Sequence, residues 1–246
     1  KKGGEKKEGE EKKKKEKEKE WKDGKRSEDF IELKYHVELG EALQIFDMPR
    51  GVKHAGSRNF ILNGAGAMLY QAVLRLAMDQ MIAKGYQLMT VPVLVNEDVM
   101  YGTGYFPLGR DQAYLAERDN KSLVGTAEVP LTAYHSNEIL DADDLPKKYI
   151  AVSTCFRREA GAAGKDTRGL YRIHTFDKVE QVVIAPNDQA QSIEYHQAIL
   201  ANSEDVLKAL QLPYRVVDGC TGALGQGPRQ KFDIETRMPY RDSYGA

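Results

Sequence analysis

Cysteine is nearly absent. Cys155 and Cys220 are the only two, they form no C-x-x-C pair, and no histidines cluster beside them. That excludes a disulfide framework and a thiolate-based zinc site. No apolar run approaches the roughly 20 residues that a bilayer-spanning helix needs, and no signal peptide opens the chain. The chain therefore reads as cytoplasmic. Net charge is also close to nil, at -1 over 246 residues, which excludes a global pull toward nucleic acid or an anionic membrane. Any RNA contact has to be a local patch. A phosphate-binding P-loop is missing as well. Residues 161–167 end G-K-D-T, whereas that motif needs Ser or Thr directly after G-K. Finally, residues 1–20 contain only Lys, Glu and Gly, so nothing there offsets the entropy of ordering. Residues 1–29 are expected to be a disordered Lys/Glu-rich tail or linker. The chain does not begin with Met, as expected of a fragment or a processed product.

What remains is enough for one sizeable core and too little for two large domains, since 41% of the 246 residues are hydrophobic. Residues 30–246 are expected to be that one domain. A short strand is expected at R-N-F-I-L, residues 58–62. Residues 66–84 show helical spacing of Met68, Leu69, Ala72, Val73, Leu76, Ala77 and Ile82, with Gly85 after the last turn. This stripe is expected to face the chain's own core. Residues 101–110, Y-G-T-G-Y-F-P-L-G-R, read as a Gly- and Pro-punctuated loop with exposed aromatics, either a cover for a site or a structural turn. A second amphipathic helix spans 188–210, with Asn187 or Asp188 as N-cap, and strands follow at 212–217 and 231–238. Strands and helices without a regular βαβ repeat point to an α+β fold, an antiparallel β-sheet flanked by helices.

The chain is organised around residues 153–180, S-T-C-F-R-R-E-A-G-A-A-G-K-D-T-R-G-L-Y-R-I-H-T-F-D-K-V-E. Both flanks show a rough period of two, and the middle carries Gly161, Gly164 and Gly169 among charged residues. That is the pattern of two antiparallel strands joined by a long charged loop. Alternation puts Arg172, His174, Phe176, Lys178 and Glu180 on one face of the outgoing strand, and Arg157 with Glu159 on one face of the incoming one. Guanidinium groups, carboxylates and an aromatic ring are thereby gathered together. Read alone, this is either a functional face or a solvated one laced with ion pairs. Upstream, Thr126 and Glu128 in S-L-V-G-T-A-E-V-P-L-T have the i, i+2 relation that aims both to one side of an extended segment.

F-R-R-E, a Gly-rich loop and R-I-H-T-F-D-K-V-E together resemble motif 2 of the class II aminoacyl-tRNA synthetases, most closely its seryl branch. Further segments resemble that family in its order: H-V-E-L-G-E-A-L, G-A-G-A-M-L, M-Y-G-T-G, T-A-E-V-P-L-T and L-P-Y-R-V-V. The resemblance runs approximately from His36 to Tyr244. It implies a class II catalytic domain that activates serine with ATP and transfers it to tRNA(Ser), with Mg²⁺ on the phosphates and no metal-ligating residue assigned here. It implies a serine-binding set of Thr126, Ala127, Glu128, Arg157 and Glu180. It also implies an ATP-binding set of Arg157, Arg158, Glu159, Ile173, His174, Thr175 and Phe176. Within these, Arg157 would be catalytic, bridging the α-phosphate and the serine carboxylate; Glu159 would accept from the adenine amino group and Phe176 would stack on the ring. The region Gly66 to Val95 resembles motif 1, which implies a homodimer. The chain departs from the pattern at Arg158, Ala223 and Arg237, shows no heptad arm, and stops ahead of the motif 3 arginine. A synthetase-like paralogue that binds nucleotide, amino acid or a partner without this chemistry is the alternative.

Overall fold

A computed structural model of the protein describes residues 33–162, 166, 168–225 and 227–245. The tail expected over residues 1–29 lies outside them. Within the unit Tyr35–Ala246, the first elements are helix α1 (His36–Ala42), strand β1 (Phe46–Asp47), helix α2 (Met48–Ala55) and strand β2 (Ile61–Leu62), with β1 and β2 paired antiparallel. The strand expected over 58–62 is thus only two residues long. Arg58 has φ of 62°, a left-handed value that breaks the extended run before it starts.

Helix α3 (Ala65–Ala83) ends where Gly85 takes φ of 83°, as the spacing predicts. Strands β3 (Gln87–Met89) and β4 (Leu94–Asn96) and helix α4 (Glu97–Gly102) follow, then β5 (Tyr114–Ala116), β6 (Lys121–Leu123) and helix α5 (Glu128–Thr132). The order β4-β6-β5 makes one antiparallel sheet. Its core gathers Val95, Met100, Phe106, Ala113, Val124 and Val129. The loop expected to expose its aromatics therefore splits: Tyr101 is exposed, but Phe106 is buried because that core has room for its ring.

The central sheet is β3-β7-β8, in which β7 (Lys147–Phe156) and β8 (Thr175–Ile184) pair antiparallel over ten residues, from Lys147 opposite Ile184 to Phe156 opposite Thr175. β3 joins β7 in parallel, the one departure from an antiparallel sheet in this layer. Period-two alternation then sorts the two faces. Ile150 and Val183 pack with Met78, Met81 and Tyr86 toward α3. On that same side Gln181 donates to Ile199 O at 3.0 Å, tying the sheet to helix α6 (Gln189–Ala209). The opposite face packs Tyr149, Ala151, Val182 and Ile184 against Ala127 and Leu131 of the α5 region. Asp188 caps α6 by accepting from Gln191 N at 2.8 Å. A last antiparallel sheet joins β9 (Tyr214–Asp218), β10 (Phe232–Met238) and β11 (Ser243–Gly245).

The α3 stripe does not behave as expected. Met68 is 74% and Leu69 61% exposed, and Ile82 is exposed too, while the helix turns Gly66 and Met81 inward. Gly66 lies so close to the chain that an added Cβ would meet Ile45 O at 2.1 Å, so this side of the helix is pressed onto the β1 region; Met78 and Met81 pack inward, Val73, Leu76 and Ala77 are half-buried, and Met68, Leu69 and Ile82 face out.

Candidate active site

The β7–β8 hairpin carries the site at its loop end. The strands are shorter than alternation alone suggests: β7 stops at Phe156 and β8 starts at Thr175, with one further backbone bond from Arg157 N to His174 O at 2.9 Å. Glu159 takes φ of 54° and Gly161 79°, so the chain turns away from the sheet just past Arg157. Arg157 and Glu159 accordingly do not share a strand face, nor do Arg172 and His174 continue that of Phe176. They meet instead around a cleft of about 630 Å³ lined by Tyr105, Gln112, Arg157, Glu159, Ala160, Leu170, Tyr171, Arg172, Ile173 and Phe176.

Within the cleft, the Arg157 guanidinium lies 5.1 Å from the centre of the Phe176 ring, and its Nε donates to Gly125 O at 3.1 Å. Glu159 is held by Arg172 at 2.7 Å. The cleft thus combines an aromatic face, a planar cation and a carboxylate. Burial raises the Tyr105 hydroxyl pKa, and the nearby Arg157 charge opposes that rise. Of the other residues expected here, Ile173 is buried in the wall. His174 turns its ring to the Arg157 carbonyl at 2.9 Å. Arg158 and Thr175 are exposed and do not line the cleft; Arg158 reaches away to Asp111 O at 3.1 Å.

A second cluster adjoins it on the same face of β8. Phe176, Lys178 and Glu180 alternate along the strand, opposite Cys155, Ser153 and Ala151 of β7. Thr126 arrives from the turn before α5, and its hydroxyl donates to the Glu180 carboxylate. The segment is not extended as expected: Ala127 is already in the right-handed helical region and Glu128 opens α5. The cause is local, since Thr126 Oγ1 accepts the Glu128 backbone N–H at 3.1 Å, the bond that starts a helix. Ala127 is fully buried and packs beneath. Glu128 keeps an exposed edge, yet burial of its carboxyl raises its pKa, with the Glu180 charge adding to the rise and Lys178 opposing it. Arg157 links the two halves, because its Nε bond to Gly125 O fixes the turn that presents Thr126.

Three further features shape the site. Lys178 sits between Thr126 and Glu180, on the face where alternation puts it. Tyr105 and Gln112 come from the 101–112 region; Gln112 accepts from Ala160 N at 3.1 Å and donates to Ala160 O at 2.9 Å. Arg58, 8% exposed, reaches across more than 100 residues to Ala162 O at 2.8 Å and Arg172 O at 3.1 Å, pinning both arms of the loop. No spacing rule predicts such a tertiary contact.

The model of the tRNA synthetase class II core domain (G, H, P, S and T) matches residues 114–245. The chain is 48% identical over 214 residues to the serine–tRNA ligase of Rhodococcus opacus, covering 87% of this chain and 51% of that protein. It is similar to seryl-tRNA synthetase from Pyrococcus horikoshii complexed with ATP, with a TM-score of 0.83 and 41% identity over 93% of this chain and 51% of that one. It is also similar to the cytoplasmic serine–tRNA ligase from Naegleria fowleri in complex with AMP, with a TM-score of 0.81 and 32% identity over 86% of this chain and 49% of that one. The chain spans about half the length of the curated relatives it matches.

Proposed function

The chain belongs to the class II tRNA synthetase core domain family, and from that premise we propose that it carries the serine-activating centre of a serine–tRNA ligase. The observation that carries this reading is the Arg157 bond to Gly125 O, which joins a cleft suited to a nucleotide to a pocket suited to an α-amino acid. Phe176 offers its face to adenine, and Glu159, with one oxygen held by Arg172, accepts from the adenine amino group with the other. Thr126, Glu128 and Glu180 receive the ammonium group of serine. Arg157 lies between these ends. Its planar, permanently charged fork can meet the α-phosphate and the serine carboxylate at once.

The serine carboxylate oxygen then attacks the α-phosphorus and pyrophosphate leaves, giving seryl-adenylate. A terminal ribose hydroxyl of tRNA(Ser) attacks the carbonyl carbon and AMP leaves. The protein's contribution to the first step is to position two anions against each other and to offset the charge that builds as they meet. Mg²⁺ would accompany ATP on its phosphate oxygens. Among the described residues no group of three or more His, Cys, Asp or Glu could hold a metal ion. Ile173 shapes the cleft wall, whereas Arg158, His174, Thr175 and Ala127 act through the backbone or the packing around it.

The reading includes a homodimer. The exposed Met68, Leu69 and Ile82 of α3 and the exposed Leu88 and Leu94 beyond it supply an apolar surface of the kind that a two-fold interface covers. It also includes a cytoplasmic setting, where ATP, serine and tRNA occur together; no helix among the described residues is long and apolar enough to cross a membrane. Serine-dependent exchange of labelled pyrophosphate into ATP tests the proposal. Exchange with serine should exceed that with alanine at equal concentration, because a site that hydrogen-bonds a substrate hydroxyl rejects analogues lacking it, and exceed that with threonine, whose extra methyl group has to be fitted into the same pocket. Equal exchange with alanine contradicts a seryl site, and nucleotide binding without any exchange by a protein that spans the full length of the relatives favours a repurposed paralogue.

A further inference from the structure

The amino-acid pocket contains a cation of its own. Lys178 lies two residues before Glu180 on β8, so both side chains project from the face that carries Phe176. Its Nζ donates to Thr126 Oγ1 at 2.9 Å and pairs with the Glu180 carboxylate. The same hydroxyl donates to Glu180 and accepts the Glu128 backbone N–H at 3.1 Å. A threonine hydroxyl has one proton to give and two lone pairs to receive. All three are engaged by the protein, so an ammonium group that bonds Thr126 Oγ1 has to take the place of one existing donor.

The two donors differ in how easily they can leave. The Glu128 N–H belongs to the first turn of α5, which is packed beneath by the buried Val129 and Leu131. The Lys178 ammonium rides on a flexible four-carbon stem whose side chain is 32% accessible. Two ammonium groups cannot share one carboxylate oxygen without repulsion, whereas exchanging one for the other leaves the local charge unchanged.

Resting on the serine reading above, we infer that Lys178 is a resident counter-cation of the amino-acid subsite, which the substrate's α-ammonium displaces from Thr126 and Glu180. It is a specificity-determining residue. A ligand that brings its own cation replaces Lys178 and keeps the Glu180 carboxylate paired. A ligand with a hydroxyl or a hydrogen at that position offers nothing in exchange for the ion pair it breaks.

The probes are seryl-sulfamoyl-adenosine, a stable mimic of the adenylate, and its desamino counterpart, titrated calorimetrically into the full chain. The wild-type chain should bind the amine and discriminate strongly against the desamino compound. In Lys178→Met the internal competitor is gone, and the amine should bind about three- to fivefold tighter, the factor that corresponds to one partly exposed ion pair. Lys178→Arg keeps a competing cation and should bind no tighter than wild type. A second readout does not depend on the Met variant folding: the Lys178 side-chain ammonium resonance of the wild-type chain, assigned by its loss in Lys178→Arg, should shift when the amine is added. Equal or weaker binding by Lys178→Met, or an unmoved lysine resonance at saturation, overturns the inference while leaving the serine reading intact. If the wild-type chain binds neither compound, the serine reading fails and the inference falls with it.

Discussion

Replacing Arg157 by alanine should cost far more activity than replacing its neighbour Arg158. In the proposed complex the Arg157 fork meets charge that is rearranged in the transition state, and losing such preorganised stabilisation costs on the order of 3–4 kcal/mol, roughly a hundredfold to a thousandfold in rate. The substitution also removes the 3.1 Å bond from Nε to Gly125 O and the stacking over Phe176. Those ground-state contacts add about 1 kcal/mol of lost positioning. Arg158 is exposed and donates to Asp111 O at 3.1 Å. As an exposed charge it should cost less than about tenfold. Arg157→Lys keeps the charge and loses the two-pronged geometry, so it should restore little. The assay is serine-dependent pyrophosphate exchange, with kcat and KM for serine and ATP measured separately. Comparable losses for Arg157→Ala and Arg158→Ala would refute the placement of Arg157 between the nucleotide cleft and the amino-acid pocket. Near wild-type exchange by Arg157→Ala would refute the motif 2 assignment as a whole.

Glu128 carries a pH signature. Its folded-state pKa is raised, first by burial and then by Glu180, so the folded chain holds that proton to higher pH than the unfolded chain does. Stability must therefore fall as pH rises from the usual carboxylate range through the elevated value. Denaturant titrations should show Glu128→Gln gaining on wild type across that window and matching it at lower pH, and a constant difference at every pH would contradict the burial argument. Met68→Glu with Leu69→Glu should turn a dimer into a monomer by light scattering, and a wild-type monomer at micromolar concentration would remove the α3 interface. Gly66→Ala places a Cβ 2.1 Å from Ile45 O and should destabilise the chain by about 1–3 kcal/mol through overpacking, measured by thermal or chemical denaturation.

Much of the framework was legible because local signals suffice for it. Helix α3 follows from its apolar spacing and from Gly85, and α6 from its own stripe and the Asp188 cap. Two of the three strands of the last sheet, β9 and β10, fall where the sequence leads one to expect strands. The roles proposed for the site residues rest on resemblance, since a charged hairpin face and a lone Thr/Glu pair are equally consistent with a solvated surface. The hairpin ends were misplaced because alternation in sequence does not register the left-handed turn at Glu159. The i, i+2 spacing of Thr126 and Glu128 suggests an extended segment because a side-chain hydroxyl capping the next turn leaves no periodic trace. The α3 stripe shows a different limit: periodicity identifies the apolar side of a helix but not whether it is covered by the same chain. Arg58, Tyr105 and Gln112 enter the site from distant segments, and only tertiary structure could bring them there.

The central claim is that the nucleotide cleft and the amino-acid pocket are two ends of one site joined at Arg157. A crystal structure of the chain with seryl-sulfamoyl-adenosine tests it most directly. The account predicts adenine against Phe176, the sulfamoyl group at the Arg157 guanidinium, and the seryl ammonium on Thr126 and Glu180. Density for the compound elsewhere, or adenine in the cleft with the seryl group directed away from Thr126, would contradict it.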